Sequence, residues 1–214
     1  MEPDLALLVE RARALALAEP RRRRLLGIAG PPGAGKSTLG EAVVAALGDL
    51  AVLVPMDGFH LPNEELVRLG LRDRKGAPPT FDASGFVALL ERLRAAEEPV
   101  TMAPLFRRDL DRSIDDAIAV PRDVPLVVTE GNYLLLAAGP WAAVRGLLDE
   151  AWYLAGDERR VERLIARHVE HGKEPAFALD WVHRSDEANT RLIEATADRA
   201  DVIVIGLPCH GPRL

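Results

Sequence analysis

The apolar residues of this chain are concentrated in five short runs that lack regular polar alternation. Runs of this kind are typical of strands that are buried on both faces of a mainly parallel sheet. The predicted strands are, in chain order, LLGIAG (residues 25–30), AVLVP (51–55), PLVVTE (125–130), EAWYLA (150–155) and ADVIVIG (200–206).

Between these runs the apolar residues recur at helical spacing. Helices are predicted over residues 37–47, 84–96, 140–148, 157–171 and 179–195, and the stretch before the first strand predicts an N-terminal amphipathic helix. Strands that alternate with helices in this way are typical of an α/β domain. We therefore expect a three-layer α/β/α fold around a five-stranded, mainly parallel sheet.

One long segment, residues 56–124, separates the second and third predicted strands. A chain of 214 residues fits one domain, so we interpret this segment as an insertion within a single domain that spans residues 1–214. Long insertions at the ends of strands are where ligand sites are usually built. The insertion is thus predicted to bind a substrate.

Composition excludes several classes of function. A net charge of −6 and an aromatic content of 5% argue against a nucleic-acid-binding surface. Cys209 is the one cysteine, which leaves no internal disulfide and fits a cytoplasmic protein. The sequence shows neither a signal peptide nor a membrane span. An exposed apolar face on the N-terminal helix would indicate a homodimer. Periodicity alone does not show what that face packs against, so the oligomeric state is left open.

Directly after the first predicted strand comes GPPGAGKST, residues 30–38, which matches G-x-x-x-x-G-K-[ST] between a strand and a helix. Glycines let the backbone curl so that its N–H groups point at phosphate oxygens, and the helix N-terminus adds its positive end. Lys36 can then reach the outer phosphates, and the Ser37 hydroxyl can bind Mg²⁺. The alternative is a glycine-rich turn with a chance lysine. The predicted nucleotide-binding residues are Gly30, Gly33, Ala34, Gly35, Lys36, Ser37 and Thr38.

Two carboxylates follow predicted strands, Asp57 after the second and Glu130 at the end of the third. The carboxyl ends of parallel strands face one crevice, so both side chains should look toward the outer phosphate of a nucleotide. A base for an attacking hydroxyl and a metal-binding acid are the roles that such a pair could have. Both residues precede glycines, however, and each could also be an ordinary turn residue.

Longer motifs resemble a known family. GPPGAGKST, MDGFHLPNEEL, LRDRKGAPPTFD and VVTEGNYLLL are together similar to the P-loop kinases of the branch that contains type I pantothenate kinase, uridine kinase and phosphoribulokinase. The resemblance covers roughly residues 25–206 and is greatest to a short nucleoside/nucleotide kinase-like subgroup, some members of which are linked by name to fructose uptake. It implies that Asp57 is the catalytic base, that Glu130 belongs to the metal site, and that an arginine-bearing lid, here residues 157–180, closes over the phosphates.

Further residues are candidates for the lid and the substrate site. Arg163 and Arg167 are four residues apart, so both could face the nucleotide, or they could lie on a solvated, salt-bridged helix. In the insertion the candidates for substrate contact are Asp57, His60, Lys75, Arg107 and Arg108. His60 could equally cap its loop, and the two arginines could stay solvated. The segment PLFRRDLDRS departs from the pantothenate kinase pattern, which leaves the substrate open.

Together these features predict a kinase that uses ATP and Mg²⁺ to phosphorylate a hydroxyl of a small metabolite, such as pantothenate, a nucleoside or a sugar like fructose. In this hypothesis the catalytic residues are Lys36, Asp57, Arg163 and Arg167, and Ser37 and Glu130 hold the metal. The alternative hypothesis is a partner-regulated P-loop NTPase, or a nucleotide-binding module without turnover.

Overall fold

The computed structural model describes residues 4–19, 22–170, 172 and 174–205. Cys209, the last residue of the predicted fifth strand (Gly206) and the last residue of the predicted lid helix (His171) lie outside these ranges.

The described residues contain seven strands, five of which form one sheet. The strands are β1 (Arg24–Ala29), β2 (Ala51–Leu53), β3 (Val100–Arg107), β4 (Arg112–Pro121), β5 (Leu126–Gly131), β6 (Glu150–Leu154) and β7 (Val202–Val204). The large sheet has the order β2-β5-β1-β6-β7, and each neighbouring pair is parallel. The five predicted strands and their parallel arrangement are therefore confirmed.

Helices flank the sheet and cover most of the connections. They are α1 (Leu5–Leu17), α2 (Lys36–Leu47), α3 (Asn63–Arg68), α4 (Ala83–Ala95), α5 (Val144–Leu147), α6 (Arg160–Glu170), α7 (Pro175–Trp181) and α8 (Glu187–Glu194). No helix in these ranges is long and apolar enough to cross a membrane.

The two faces of the sheet carry separate apolar cores. Helices α1 and α2 pack against one face, where Leu26 and Val128 are fully buried. Helix α4 packs against the other face, where Leu25 and Val127 are fully buried. Because successive residues of a strand point to opposite faces, a sheet covered on both sides requires apolar residues at nearly every position. This is the reason for the missing polar alternation, and it confirms the three-layer fold.

The helix predicted over residues 179–195 is present, but it begins at Pro175 and widens in the middle. The chain forms α7, a wide π turn at Val182–Asp186, and then α8. Helix α7 begins earlier than predicted because Pro175 occupies its first turn and the Glu174 carboxylate accepts a hydrogen bond from the N–H of Phe177 at 3.1 Å. The predicted helix over 140–148 is likewise a 3₁₀ turn at Gly139–Ala143 followed by the single turn of α5.

The insertion contains an antiparallel hairpin, β3–β4, that the sequence pattern did not predict. A 3₁₀ turn at Met56–Phe59 follows β2 and packs against β3. The chain then returns to this turn, because the N–H of Leu61 donates to the carbonyl of Thr80 at 3.0 Å and the N–H of Asp82 to that of Phe59 at 2.8 Å. The insertion is thereby held over the carboxyl ends of β2 and β5.

Candidate active site

The loop between β1 and α2 has the geometry of a phosphate cradle. Gly33 and Gly35 have positive φ angles of 78° and 95°, which glycine adopts without steric cost. Gly35 is the N-cap of α2, and no side chain caps this helix end. The first amides of α2, those of Lys36, Ser37 and Thr38, therefore belong to an uncapped helix N-terminus, where anions bind readily.

Two further positions of the loop are fixed by the surrounding backbone. A Cβ atom on Gly30 would lie 2.3 Å from the carbonyl oxygen of Leu154, so β6 leaves no room for a side chain there. The N–H of Ala34 donates to the carbonyl of Pro31 at 3.2 Å and is thus engaged within the loop. The curled conformation of the loop is therefore stabilised by its own backbone hydrogen bond and by contact with β6.

The Lys36 side chain is buried and held by two oxygen atoms. Its Nζ donates to the carbonyl of Pro31 at 3.0 Å and to Oδ1 of Asn132 at 2.8 Å. Burial lowers the pKa of Lys36 to about 8, although the carboxylates of Glu130 and Asp57 act in the opposite direction. Asn132, which follows β5, is a partner that the sequence analysis missed.

Ser37 and Glu130 form a pair of oxygen ligands beside the cradle. The Ser37 hydroxyl donates to Oε1 of Glu130 at 2.8 Å, and Glu130 is buried at the end of β5. Burial raises the pKa of Glu130, and the neighbouring charge of Asp57 raises it further. A hydroxyl and a carboxylate fit Mg²⁺, which proteins usually bind through one or two such oxygens together with substrate phosphates.

Asp57 lies in the 3₁₀ turn after β2 and faces the same cavity as Lys36 and Glu130. Its Oδ2 is 3.3 Å from a guanidinium nitrogen of Arg108. Burial alone would raise the pKa of Asp57, but the positive charges of His60, Arg108 and Lys36 together lower it. Since burial also lowers the pKa of His60, the arginine and the lysine remain the charges that keep Asp57 ionised at neutral pH.

These groups line one cavity of about 680 Å³ between the sheet, the insertion and α6. The cavity brings together the carboxyl ends of β2 and β5, as the parallel arrangement predicts. Most of the residues predicted for the site line it, namely Gly33, Lys36, Ser37, Asp57, His60, Lys75, Arg108, Glu130 and Arg167.

His60 forms part of an aromatic wall of the cavity. Its ring centroid lies 4.0 Å from that of Phe81 and 4.7 Å from that of Phe106. Its Nδ1 donates to the backbone carbonyl of Asp57 at 2.9 Å, which caps the turn that carries Asp57. The structure therefore shows His60 in both of the positions that the sequence left open, at the cavity and as a loop cap.

The two neighbouring arginines of the insertion point in different directions. Arg108 reaches Asp57, whereas Arg107 forms an exposed ion pair with Asp109 at 2.8 Å. Arg107 is not among the described residues that line the cavity. In an antiparallel hairpin the residues next to the turn alternate in direction, and the alternation turns Arg107 toward solvent.

The arginines of α6 approach the cradle from the other side. Arg163 donates to the carbonyl of Gly33 at 3.0 Å and pairs with Asp157 at 2.8 Å, while Arg167 lines the cavity. The desolvation of Arg167, together with the nearby charge of Arg108, lowers its pKa. Arg160, which was not predicted, is buried and donates to the carbonyl of Pro32 at 3.2 Å. The sequence could not single out Arg160, because four arginines of this segment share helical spacing.

Comparisons with known proteins agree with this geometry. No family model matches the sequence. The chain is 31% identical over 204 residues to a protein of Schizosaccharomyces pombe named "Putative uridine kinase C227.14". This match covers 90% of this chain and 87% of that protein. It is 31% identical over 186 residues to a pantothenate kinase of Xanthobacter autotrophicus, where the match covers 81% of this chain and 57% of the relative.

A solved structure from Silicibacter sp. TM1040, described as a "putative fructose transport system kinase", superposes with a TM-score of 0.84 at 37% identity and covers 94% of this chain and 98% of its own. The chain belongs to the P-loop kinases of the pantothenate kinase and uridine kinase branch. This kinase is accordingly an ATP-dependent phosphotransferase that acts on a small molecule. Its cavity contains the cradle, the lysine and the acids that phosphoryl transfer requires.

Proposed function

We propose that this kinase transfers the γ-phosphoryl group of ATP to a hydroxyl of a small metabolite, with Asp57 as the catalytic base. One observation carries the proposal: an ionised carboxylate, Asp57, shares a cavity with the Lys36 cradle and the Ser37–Glu130 pair. The insertion, residues 56–124, is the substrate-binding part of one domain that spans residues 1–214, and residues 157–180 form its lid.

In this mechanism the nucleotide phosphates bind the amides of Gly33 and of residues 35–38 and the Nζ of Lys36, while the N–H of Ala34 stays bonded to Pro31 within the loop. Ser37 and Glu130 supply oxygen ligands for Mg²⁺. When bound, this ion neutralises charge on the phosphates. Arg167 adds positive charge from the lid, and Arg163 fixes the cradle through its bonds to Gly33.

Asp57 acts on the acceptor. The acceptor hydroxyl oxygen forms a bond to the γ-phosphorus, the bond to the β-phosphate oxygen breaks, and ADP leaves. The hydroxyl proton passes to the carboxylate of Asp57. This step requires an ionised Asp57, and Arg108 at 3.3 Å maintains that state by lowering its pKa.

The decisive experiment measures ADP release from Mg·ATP with a panel of hydroxyl compounds, for the unmodified kinase and for Asp57→Asn. We expect one class of compounds to stimulate ADP release, and Asp57→Asn to lower that rate by roughly 10² or more, the scale of a positioned base, while nucleotide binding changes little. Asp109→Asn is the matched control, since Asp109 is exposed and pairs with Arg107 outside the cavity. A slow ADP release that no compound stimulates and that Asp57→Asn leaves unchanged would support the partner-regulated NTPase instead.

A further inference from the structure

The half of the cavity beyond Asp57, away from the cradle, has side chains of its own for an acceptor. We call it the acceptor end and define it by Asp57, His60, Arg72, Asp73, Lys75, Phe106, Arg108 and Asp111. The cations at this end influence what charge an acceptor can carry, because an anion that binds in a partly enclosed cavity is stabilised by a cationic partner.

Lys75 has no donor left for a substrate. Its Nζ donates to Oδ1 of Asn63 at 2.9 Å, to Oδ1 of Asp111 at 2.7 Å and to the carbonyl of Asp111 at 3.1 Å. An ammonium group has three N–H donors, so these bonds use all of them. Only 10% of the side chain is exposed, and the ammonium also lies 5.2 Å from the ring centroid of Phe106. Lys75 thus joins the two loops of the insertion.

The other cations of the acceptor end are paired with carboxylates as well. Arg72 donates to Oδ2 of Asp111 at 3.3 Å, and Arg108 to Oδ2 of Asp57 at the same distance. Burial lowers the pKa of His60, which leaves its ring neutral at pH 7. Among the described residues that line this end, the acids Asp57, Asp73 and Asp111 therefore balance the three basic side chains.

Among the described residues, the two other lysine and arginine side chains that line the cavity, Lys36 and Arg167, are assigned to the nucleotide in the proposed mechanism. Lys36 is held beside the cradle, and Arg167 extends from α6 on the lid side. The nucleotide phosphates require both charges in the proposed mechanism. One wall of the acceptor end is carbon-rich, because the His60 ring lies tilted against the rings of Phe81 and Phe106.

We infer that the acceptor of this kinase is an uncharged hydroxyl compound with a carbon-rich face, and that acceptors with a carboxylate or phosphate group are poor substrates. This inference rests on the proposed function and names its substrate class. An anionic acceptor would add a negative charge beside the Lys75–Asp111 and Arg108–Asp57 pairs, whose charges already balance, and the two carboxylates would repel it. A neutral acceptor leaves these pairs intact and donates its hydroxyl to Asp57.

The test uses pairs of compounds that differ at one terminus, which is a hydroxymethyl group in the neutral member and a carboxylate in the acid: pantothenol with pantothenate, glycerol with glycerate, and glucitol with gluconate. Uridine and fructose extend the neutral set. Some of these pairs will contain a substrate of the kinase. In each such pair we expect the kcat/KM of the neutral compound, measured by ADP release, to be about tenfold or more above that of its acid. Equal values, or a preference for the acids, would overturn the inference and leave the proposed function standing. ADP release that no compound stimulates would overturn both.

A second arm tests the role of Asp111 directly. Asp111→Asn keeps the shape and the side-chain oxygen that accepts from Lys75 but removes the negative charge. We expect the ratio of kcat/KM for the acid to that for its neutral partner to rise by about tenfold, because Lys75 then carries an unbalanced charge. Asp109→Asn on the same hairpin turn is the control and should leave the ratio unchanged. An unchanged ratio in Asp111→Asn would contradict the inferred charge balance.

Discussion

At the scale of single residues, the P-loop lysine is fixed in the cavity by hydrogen bonds, but no carboxylate among the described residues is bonded to it to balance its charge. Lys36 is buried, and the two oxygens that hold its Nζ, those of Pro31 and Asn132, are neutral. Neutral acceptors satisfy the donors of an ammonium group but do not balance its charge, so burial lowers the pKa of Lys36 to about 8. Part of the lysine population is therefore uncharged just above neutral pH.

We predict that nucleotide binding makes the protein take up a proton at pH 8. The bound phosphates favour the charged ammonium and raise the pKa of Lys36, so molecules in which it was neutral gain a proton. From a pKa of about 8 the uptake should be about half a proton at pH 8 and about a tenth at pH 7. Calorimetric titration in two buffers with different ionisation enthalpies measures it.

Lys36→Arg is the matched control for this titration. A guanidinium remains protonated at both pH values, so the uptake should disappear while a positive charge stays in the cradle. Equal uptake in the variant and in the unmodified protein would show that another group is responsible.

The sequence predicted the residues whose positions depend on local order, and missed those whose partners come from elsewhere. Lys36 and Ser37 follow from the spacing of the cradle, and Asp57 and Glu130 from the ends of parallel strands. The bonds of Lys75 did not follow, because its partners Asn63 and Asp111 come from other segments of the insertion. Spacing in one segment carries no information about such contacts.

At the scale of elements, the hairpin β3–β4 determines where Asp57 lies. Gly58, the next residue along the 3₁₀ turn, is in close contact with β3, since a Cβ on Gly58 would lie 2.4 Å from the carbonyl oxygen of Pro104. That atom belongs to backbone and cannot turn aside as a flexible side chain can. A glycine is therefore required where the turn crosses the hairpin.

Gly58→Ala is predicted to lower the free energy of unfolding by about 2 kcal/mol or more, because the turn and β3 must move apart. Asp57 would move with the turn, and the kinase activity should fall as well. Gly146→Ala is the control: Gly146 is exposed in α5, and no atom lies within 4 Å of a Cβ built there. That change should be neutral or stabilise by up to about 1 kcal/mol. Urea unfolding compares the two, and equal stabilities would contradict the assigned contact.

The sequence predicted the elements whose apolar residues form one uninterrupted pattern. It missed those in which proline or charged residues interrupt that pattern. The five strands of the sheet were found because their apolar runs are uninterrupted. The strands of the hairpin contain Pro104 and the charged residues Asp115 and Asp116, which hid them. The segment before α8 keeps helical spacing across the π turn, so its periodicity could not show where the helix widens.

At the scale of the whole molecule, helices α6 and α8, the cradle and the insertion share contacts. Arg160 joins α6 to the loop at Pro32 and to Thr190 of α8, and the Tyr133 hydroxyl donates to the carbonyl of Gly76 in the insertion. The Asn189 amide donates to the same carbonyl at 3.4 Å. These contacts join α6 and α8 to the cradle, and the insertion to α8 and to the segment that follows β5.

We predict that the protein unfolds in one cooperative transition. The tryptophans lie in different parts, with Trp152 in β6, Trp181 at the end of α7 and Trp141 in the core beneath the insertion. Urea curves from tryptophan fluorescence and from far-UV circular dichroism should therefore coincide. Mg·ATP at a hundred times its dissociation constant should raise the free energy of unfolding obtained from both curves by about 2.7 kcal/mol. Two separate transitions would contradict the single domain.

The central position of β1 also has a consequence for synthesis of the chain. Arg24 of β1 pairs with Leu126 of β5, and Leu26 pairs with Glu150 of β6. A ribosome that makes 5–20 residues per second therefore releases β1 several seconds before either neighbour exists. During this interval the apolar segment Leu25–Ala29 has no strand to pair with, and its exposed surface makes the nascent chain prone to aggregation.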